Sequence, residues 1–136
     1  LIRTALFADH EGVLQATPQR RFLSIVDGII AGEGNGPLHP MPKAVGVLAM
    51  GTHPIAVDLA CTHLMGLDYH KVRYLTELMN GTFDRTPRFT PVSPETIRVH
   101  SNVAAWENLF DAPVSTLLNL EPPPRWKHYL ELSAKG

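Results

Sequence analysis

Two stretches of the chain are almost continuously apolar, at residues 21–30 and 44–50. Strands that are covered on both faces carry such runs, whereas a half-exposed strand alternates apolar with polar residues. A third stretch, residues 96–100, does alternate, with Ile97 and Val99 at every second position. The pattern therefore predicts three strands, two of which are covered on both faces.

The segment after the second strand predicts a helix over residues 54–65. Pro54 occupies the first helical position and Gly66 follows the last one, which is the order that helix ends favour. Thr52 or His53 lies at the position of the N-terminal cap.

A second helix is predicted over residues 69–80. Asp68 provides its cap, and apolar residues recur after it at steps of three and four. Shorter helical segments are predicted at residues 1–8 and 125–132.

Buried strands joined by helices predict an α/β fold with a small mixed or parallel sheet and crossover helices. The 136 residues, of which 44% are hydrophobic, suffice for one domain with its own core. We therefore expect residues 1–136 to form a single α/β domain. Because three strands make only a small sheet, and because the first residue is not methionine, we expect the chain to be part of a larger α/β fold.

The charge of the chain is low and balanced, with 12 basic and 13 acidic residues and a formal net charge of -1. This balance excludes the basic surface with which proteins bind nucleic acid. Charged residues make up 18% of the chain, below the ~25% of an average domain, which indicates a surface hidden against a partner. The expected partner is a missing N-terminal half or a second subunit, and the second subunit would make a homo-oligomer.

The cysteine content limits the cofactors that this chain alone can hold. Cys61 is the single cysteine, which excludes a disulfide framework and an iron–sulfur cluster within the chain. One cysteine fits a reducing compartment, so we expect a cytoplasmic protein. The longest apolar stretch is far shorter than the ~20 residues that cross a bilayer, and no membrane span is expected.

The most informative segment follows the first strand, where glycine alternates with polar residues. Asp27 lies beside the strand, and the loop after it reads Glu33, Gly34, Asn35 and Gly36. Glycine lets a ligand approach the main chain closely, so we predict that residues 34–36 bind a substrate. The loop runs into prolines rather than into a helix, which argues against a dinucleotide-binding or phosphate-binding loop. A tight turn with solvated side chains is the alternative.

A second polar position lies in the first long helix, where apolar residues surround Asp58. A carboxylate there is costly to bury unless it is paired, hydrogen-bonded or bound to a metal. Ligands of open α/β sheets bind beyond the carboxyl ends of the strands. If the first strand is parallel to the second, Asp27 and Glu33 converge on Asp58. Thr52 and His53 then lie beside the site as substrate-binding residues.

The oxygen-rich set of Asp27, Glu33 and Asp58, to which Asn35 adds an amide, leaves three chemistries open. It suits a hard divalent cation such as Mg²⁺ or Ca²⁺, for which the three carboxylates are the ligands. It equally suits general acid–base catalysis by these carboxyl groups, one of them kept protonated, or hydrogen bonding to a polar substrate. A structural clamp, in which the acids pair with neighbouring groups of the chain, is the alternative to all three.

Three blocks of the sequence resemble the family called domain of unknown function 362. They are residues 23–37, 47–58 and 64–68, and the resemblance extends over about residues 18–100. The residues that match the family's blocks are Asp27, Gly28, Glu33, Gly34, Asn35, Gly36, Pro54 and Asp58. His53 departs from the small or acidic residue expected there, and residues 101–136 form a C-terminal arm outside the resemblance.

What the resemblance implies is limited, because no activity is established for the family. Its members are typically longer, with an upstream half, which implies that this chain is the C-terminal part of a larger α/β fold. Some members are joined to ferredoxin-like iron–sulfur modules, which implies an association with redox reactions. Two hypotheses follow. The chain is either part of an enzyme with a carboxylate-lined, cation-dependent or redox-associated site, or a binding and assembly module whose acidic loop is a structural clamp.

Overall fold

The computed structural model describes residues 2–80 and 91–133, which form a small α/β fold. Its helices and strands, in chain order, are α1 (Ile2–Phe7), β1 (Ser24–Glu33), β2 (Met41–Gly51), α2 (Pro54–Leu64) and α3 (Arg73–Met79). Short 3₁₀ turns lie at Tyr69–Lys71, Pro94–Thr96, Ala104–Trp106, Leu109–Asp111 and Val114–Thr116. The predicted α/β class is confirmed.

The two strands pair as an antiparallel hairpin, in which Ser24 lies opposite Gly51 and Glu33 lies opposite Met41. The parallel orientation that the sequence suggested for these strands is not found. A parallel pair needs a crossover connection of a dozen or more residues, and residues 34–40 are too few to make one. The connection is therefore a hairpin turn.

Helix α2 packs across one face of the hairpin, which we call the covered face. A β-carbon added at Gly51 would lie 2.6 Å from Cγ2 of Val57, so helix and strand touch there without space for a side chain. Val47 of β2 and Ala60 of α2 pack against a cluster that includes the buried Leu64. The covered face thus forms part of the hydrophobic core.

The opposite face of the hairpin carries apolar side chains that no described residue covers, and we call it the bare face. Its exposed apolar residues are Leu23, Ile25, Ile29, Ile30, Leu48 and Met50, between 56% and 68% accessible. The sequence predicted that both strands are covered on both faces, and for the bare face this prediction is wrong within the described residues. Only one of the two faces has a layer over it within the described residues.

The helix ends follow the sequence closely. His53 caps α2 by accepting a hydrogen bond from the Ala56 amide at 3.4 Å on Nδ1, and Gly66 takes a left-handed conformation with φ of 82° just after the helix. Asp68 caps the next turn by accepting from the His70 amide at 3.0 Å. The predicted second helix is divided into the 3₁₀ turn Tyr69–Lys71 and α3, because Val72 is extended.

The core of the helical side is small and dense. Leu59 of α2 and Leu75 of α3 are fully buried, with Ile55 beside them. The C-terminal arm adds a second cluster in which Leu109 and Leu117 pack on α2. The arm then returns along the end of α2 through main-chain hydrogen bonds, from Leu118 to Leu64, from Leu120 to Met65 and from Leu132 to Gly66.

Two predicted elements are absent from the structure. Residues 125–132 form turns rather than a helix, and residues 96–100 are not a strand. The latter show the alternating exposure of a strand, but within residues 2–80 and 91–133 they pair with no other strand. They instead line a cavity of about 740 Å³, together with residues 45–51 of β2.

Candidate functional site

Glu33, at the end of β1, joins three segments of the chain. Its Oε2 accepts a hydrogen bond from Nζ of Lys43 on β2 and another from the main-chain amide of Glu121 in the arm, each 3.0 Å long. The side chain is only 17% exposed. The hydrogen bond from the Glu121 amide, followed by that from Lys43, holds the pKa of Glu33 below its ordinary value. Glu33 is therefore kept ionised.

The glycine-rich loop extends this contact with the arm. Gly34 is buried, and its amide donates to the carbonyl of Glu121 at 2.8 Å. Asn35 is exposed and its carbonyl accepts from the His39 amide at 3.0 Å, while the Gly36 amide donates to the Gly34 carbonyl at 2.7 Å. The loop thus uses its main-chain groups within its own turn and against the arm. Substrate binding by residues 34–36 stays a prediction.

Asp27 lies on the bare face, opposite Leu48 of β2. It is exposed, and its Oδ1 accepts a hydrogen bond from the Ile29 amide at 3.1 Å. Glu33 instead turns its carboxylate towards Lys43 and the arm. The two acids of β1 therefore have different surroundings, although they come from one strand.

Asp58 lies on the exposed side of α2 and accepts a hydrogen bond from the hydroxyl of Tyr74 on α3. Partial desolvation by the packed helices raises the pKa of Asp58, and the Tyr74 hydrogen bond opposes this shift. Desolvation, followed by the negative charge of Asp58, also raises the pKa of Cys61. Reactive cysteines are thiolates, so the Cys61 thiol is not activated here.

The three carboxylates that the sequence grouped together thus have separate partners. Asp27 bonds to its own strand, Glu33 to Lys43 and the arm, and Asp58 to Tyr74. Their expected convergence depended on parallel strands, and β1 and β2 are antiparallel. Over residues 2–80 and 91–133, no three side chains of His, Cys, Asp or Glu are grouped as metal ligands.

Thr52 and His53 lie where the sequence placed them, between the end of β2 and the start of α2. Both line the cavity of about 740 Å³, whose walls come from β2, α2 and residues 96–103. Its size is that of sites for small molecules. Asp27, Glu33 and Asp58 are not among its lining residues, so the cavity and the acids are in different places.

Sequence reasoning missed the partners of the acids. Lys43 lies just before the predicted second strand, and a lone charge next to an apolar strand becomes a candidate partner for Glu33 only once a hairpin is assumed. Tyr74 lies in the predicted second helix and gave no signal of contact with Asp58. Glu121 contributes its main-chain amide, which no side-chain pattern reveals.

The fold and these contacts define a small α/β chain, and comparison with known families identifies a family that part of the chain resembles. A family model described as "Domain of unknown function (DUF362)" matches residues 5–63, a segment that contains β1, β2 and almost all of α2. The resemblance inferred from the sequence is thereby confirmed. The model match starts earlier and ends earlier than the range of residues 18–100 that the sequence suggested.

A particular relative is the "Thylakoid-associated protein sll1697" of Synechocystis sp., to which the chain is 50% identical over 46 residues. The match covers 34% of this chain and 14% of that protein, so the chain matches only a small part of the relative's length. No solved structure matches the chain. In the part of the chain that the structure describes, no helix has both the length and the apolar character needed to cross a membrane.

Proposed function

We propose that this chain is a non-catalytic binding and assembly module in which the acidic loop is a structural clamp. The observation that carries the proposal is the carboxylate of Glu33, held by the ammonium group of Lys43 and the amide of Glu121 at 3.0 Å each. These contacts fasten the end of the hairpin to the C-terminal arm. The Gly34 amide adds a further bond to the same residue of the arm.

The environment of Glu33 fits a clamp better than a catalytic group. A general acid is a carboxyl group whose pKa is raised towards neutrality, whereas hydrogen-bond donors lower the pKa of Glu33. A metal ligand or general base needs an accessible lone pair, and one oxygen of Glu33 already accepts two bonds on a mostly buried side chain. Both bonds are charge-assisted, and such bonds are stronger than those between neutral groups, which suits a contact that holds two segments together.

Two observations support an assembly rather than a self-contained unit. The 46 matched residues are 14% of the relative, which is therefore far longer than the matched segment. The apolar residues of the bare face have no described layer over them. The module is accordingly one part of a larger α/β assembly, to which a missing N-terminal half or a second subunit contributes.

An enzyme is the second candidate, and the carboxyl group of Asp58 favours it. Its raised pKa and its hydrogen bond from Tyr74 are features of acid–base groups. On this alternative, Asp58 acts as an acid or base, or helps to bind a divalent cation, and Thr52 and His53 line the neighbouring cavity for the substrate. The redox association implied by the family resemblance belongs to this alternative.

Thermal unfolding with and without Mg²⁺, Mn²⁺, Ca²⁺ and Zn²⁺ separates the two candidates. A ligand at a hundredfold excess over its Kd adds ~2.7 kcal/mol to the stability of the native state, which raises Tm by several degrees at this size. For the clamp, we expect no rise in the wild type and a lower starting Tm in Glu33→Gln. A rise that is present in the wild type and absent in Asp58→Asn would contradict the assembly module and support a metal-dependent enzyme.

A further inference from the structure

The cavity of about 740 Å³ lies against an edge of the hairpin rather than against one of its faces. The side chains of a strand alternate between the two faces of a sheet, so a cavity on one face is lined by every second residue. Here every residue from 45 to 51 of β2 lines the cavity. One edge of β2 is paired with β1, so the cavity faces the other edge, to which no described strand is bonded.

The opposite wall of the cavity is formed by residues 96–103, again in an unbroken run. Ile97 and Val99 alternate there with more exposed residues, as they do in a strand. Val99 packs on the cluster around Leu64 of α2, and Val47 of β2 packs on the same cluster. This wall therefore resembles a further strand over the same core, separated from β2 by a gap.

The main chain on both sides of the gap has unpaired groups. Residues 98–100 make no main-chain hydrogen bond with any described residue, and the outer edge of β2 is bonded to no described strand. Such an edge pairs readily with another extended chain, and natural edges are protected from this by charged residues or proline. Residues 47–51 contain neither. The gap therefore has two edges that are ready to pair.

A single extended polypeptide strand fits this gap in size and in chemistry. At the usual spacings of residues, strands and sheets, one strand residue occupies about 160 Å³, so the cavity holds about five residues. A strand offers main-chain donors and acceptors along both of its edges, which is what the two walls lack. Arg98 is the only formally charged side chain among the described lining residues, which favours a strand with neutral or acidic side chains.

The rest of a longer polypeptide is a better source of this strand than a second copy of the chain. The two described strands are bonded to each other, so a second copy brings a hairpin, which needs twice the volume of one strand. The 46 residues matched in the Synechocystis relative are 14% of its length. Most of that length is therefore available to supply a strand.

We infer that one strand from the remainder of a longer protein fills this gap, bonded to β2 along one edge and to residues 98–100 along the other. The sheet then has four strands, in the order β1, β2, inserted strand and residues 96–100. This inference rests on the proposed assembly function and names its partner. It also accounts for the strand-like pattern of residues 96–100, which have no described strand beside them.

Overlapping peptides that cover the unmatched part of the Synechocystis relative test this inference. Each acetylated and amidated peptide is added to the isotope-labelled chain up to about 1 mM, the effective concentration of a segment on a short linker. Amide hydrogen exchange is followed by nuclear magnetic resonance. We expect at least one peptide to slow exchange about tenfold or more at residues 98–100 and at gap-side amides of residues 47–51. The amides of β1, which does not line the cavity, are the internal control.

Two matched pairs then show whether the peptide binds as a strand in the gap. Methylating alternate peptide amides removes main-chain donors and keeps the side chains, and it is expected to raise the dissociation constant about tenfold or more. Ala49→Leu narrows the gap and is expected to weaken binding, whereas Ala31→Leu is expected to leave it unchanged. Both alanines are half-buried strand residues, and only Ala49 lines the cavity. Far-ultraviolet circular dichroism verifies that both variants are folded.

Four outcomes would overturn the inference. The first is that no peptide changes exchange on both walls, and the second is that the methylated peptide binds equally well. The third is that Ala49→Leu and Ala31→Leu have equal effects. The fourth is that residues 98–100 become protected in the chain alone as its concentration rises, which would make a second copy the occupant. None of these outcomes bears on the Glu33 clamp, which the metal titration and the stability of Glu33→Gln test separately.

Discussion

The two faces of the β1–β2 hairpin carry similar apolar side chains and have very different neighbours. On the covered face, Val47 packs with Ala60 of α2 and with the arm, and the approach at Gly51 leaves no space for a side chain. On the bare face, Ile25 and Leu48 are more than half exposed. The two faces have similar amino-acid compositions. They differ in whether other side chains of the described residues pack against them.

The comparison shows where the stability of this chain comes from. Burial of apolar surface is the dominant favourable contribution to folding, and the covered face supplies it through α2, α3 and the arm. The bare face, whose apolar side chains are more than half exposed, contributes little. Substitutions should therefore have unequal effects on the two sides of one hairpin, even where the residues are of the same type.

The largest expected effect is from Leu59→Ala, in the core between α2 and α3. Leu59 is fully buried against Ile55 and Leu75, and truncation of such a leucine costs about 2–5 kcal/mol of unfolding free energy. Ile30→Ala is the counterpart on the bare face, where Ile30 is 68% exposed. Measured by urea unfolding, it is expected to change stability by less than about 0.5 kcal/mol. Equal losses would show that other parts of the chain cover the bare face.

The next effect concerns the contact between the end of α2 and the arm. Gly66 has φ of 82°, and a β-carbon there would lie 2.7 Å from Oδ1 of Asn119 and 3.0 Å from its Cα. Gly66→Ala therefore incurs about 1–2 kcal/mol for the left-handed backbone and a further loss for displacing the arm. Gly12, with φ of 84° and nothing within 4 Å of an added β-carbon, is the matched control. If Gly12→Ala is equally destabilising in thermal unfolding, the contact with Asn119 contributes nothing.

How much of this arrangement the sequence predicts depends on the range of the interactions. The α2 helix and its caps at His53 and Gly66 follow from local rules of helix ends, and they are confirmed. The continuous apolar run of β1 predicted burial on both faces, whereas within the described residues one face is exposed. Strand orientation is a longer-range property, and the antiparallel pairing of β1 with β2 did not follow from the buried-strand pattern.

The candidate site was less predictable than the fold. Asp27, Glu33 and Asp58 stood out because each is an acid beside apolar residues, and the structure gives each of them a hydrogen bond. The partner of Glu33 in the arm, Glu121, is 88 residues away in sequence and acts through its main chain. Residues 96–100 have the pattern of a strand but no strand to pair with, which a local pattern cannot reveal.

A smaller effect is expected from Glu33→Gln, which tests the clamp directly. Loss of the charge-assisted bonds is expected to cost about 1 kcal/mol near neutral pH. Because the pKa of Glu33 is lowered from its ordinary value of 4.5, its ionised form is the one that stabilises the fold. The advantage of the wild type is therefore present above pH 4.5 and disappears as the pH falls through the lower pKa of the folded state. Urea unfolding across this range measures the difference.

Glu11→Gln is the matched control for the clamp, because the side chain of Glu11 is 74% exposed. It removes the same charge without breaking a link between segments, so we expect little change in stability. A Glu33→Gln variant as stable as Glu11→Gln at neutral pH would show that the hairpin and arm are held together by apolar contacts alone.

The smallest effect, and one of opposite sign, is expected from Asp58→Asn. Partial desolvation raises the pKa of Asp58 above its ordinary value of 3.8, so the folded state binds the proton more tightly than the unfolded chain does. The contribution of Asp58 to stability is then fully present below pH 3.8 and is lost as the pH rises through the folded-state pKa. Asparagine still accepts the hydrogen bond from Tyr74 and carries no charge. We therefore expect Asp58→Asn to be slightly more stable than the wild type at neutral pH, with the difference vanishing in acid.

Thermal unfolding at several pH values measures this difference in stability. Asp111→Asn, on an exposed turn, controls for the loss of one negative charge. A variant less stable than the wild type at neutral pH would mean that the Asp58 carboxylate stabilises the contact between α2 and α3, as the Glu33 carboxylate stabilises the contact between the hairpin and the arm.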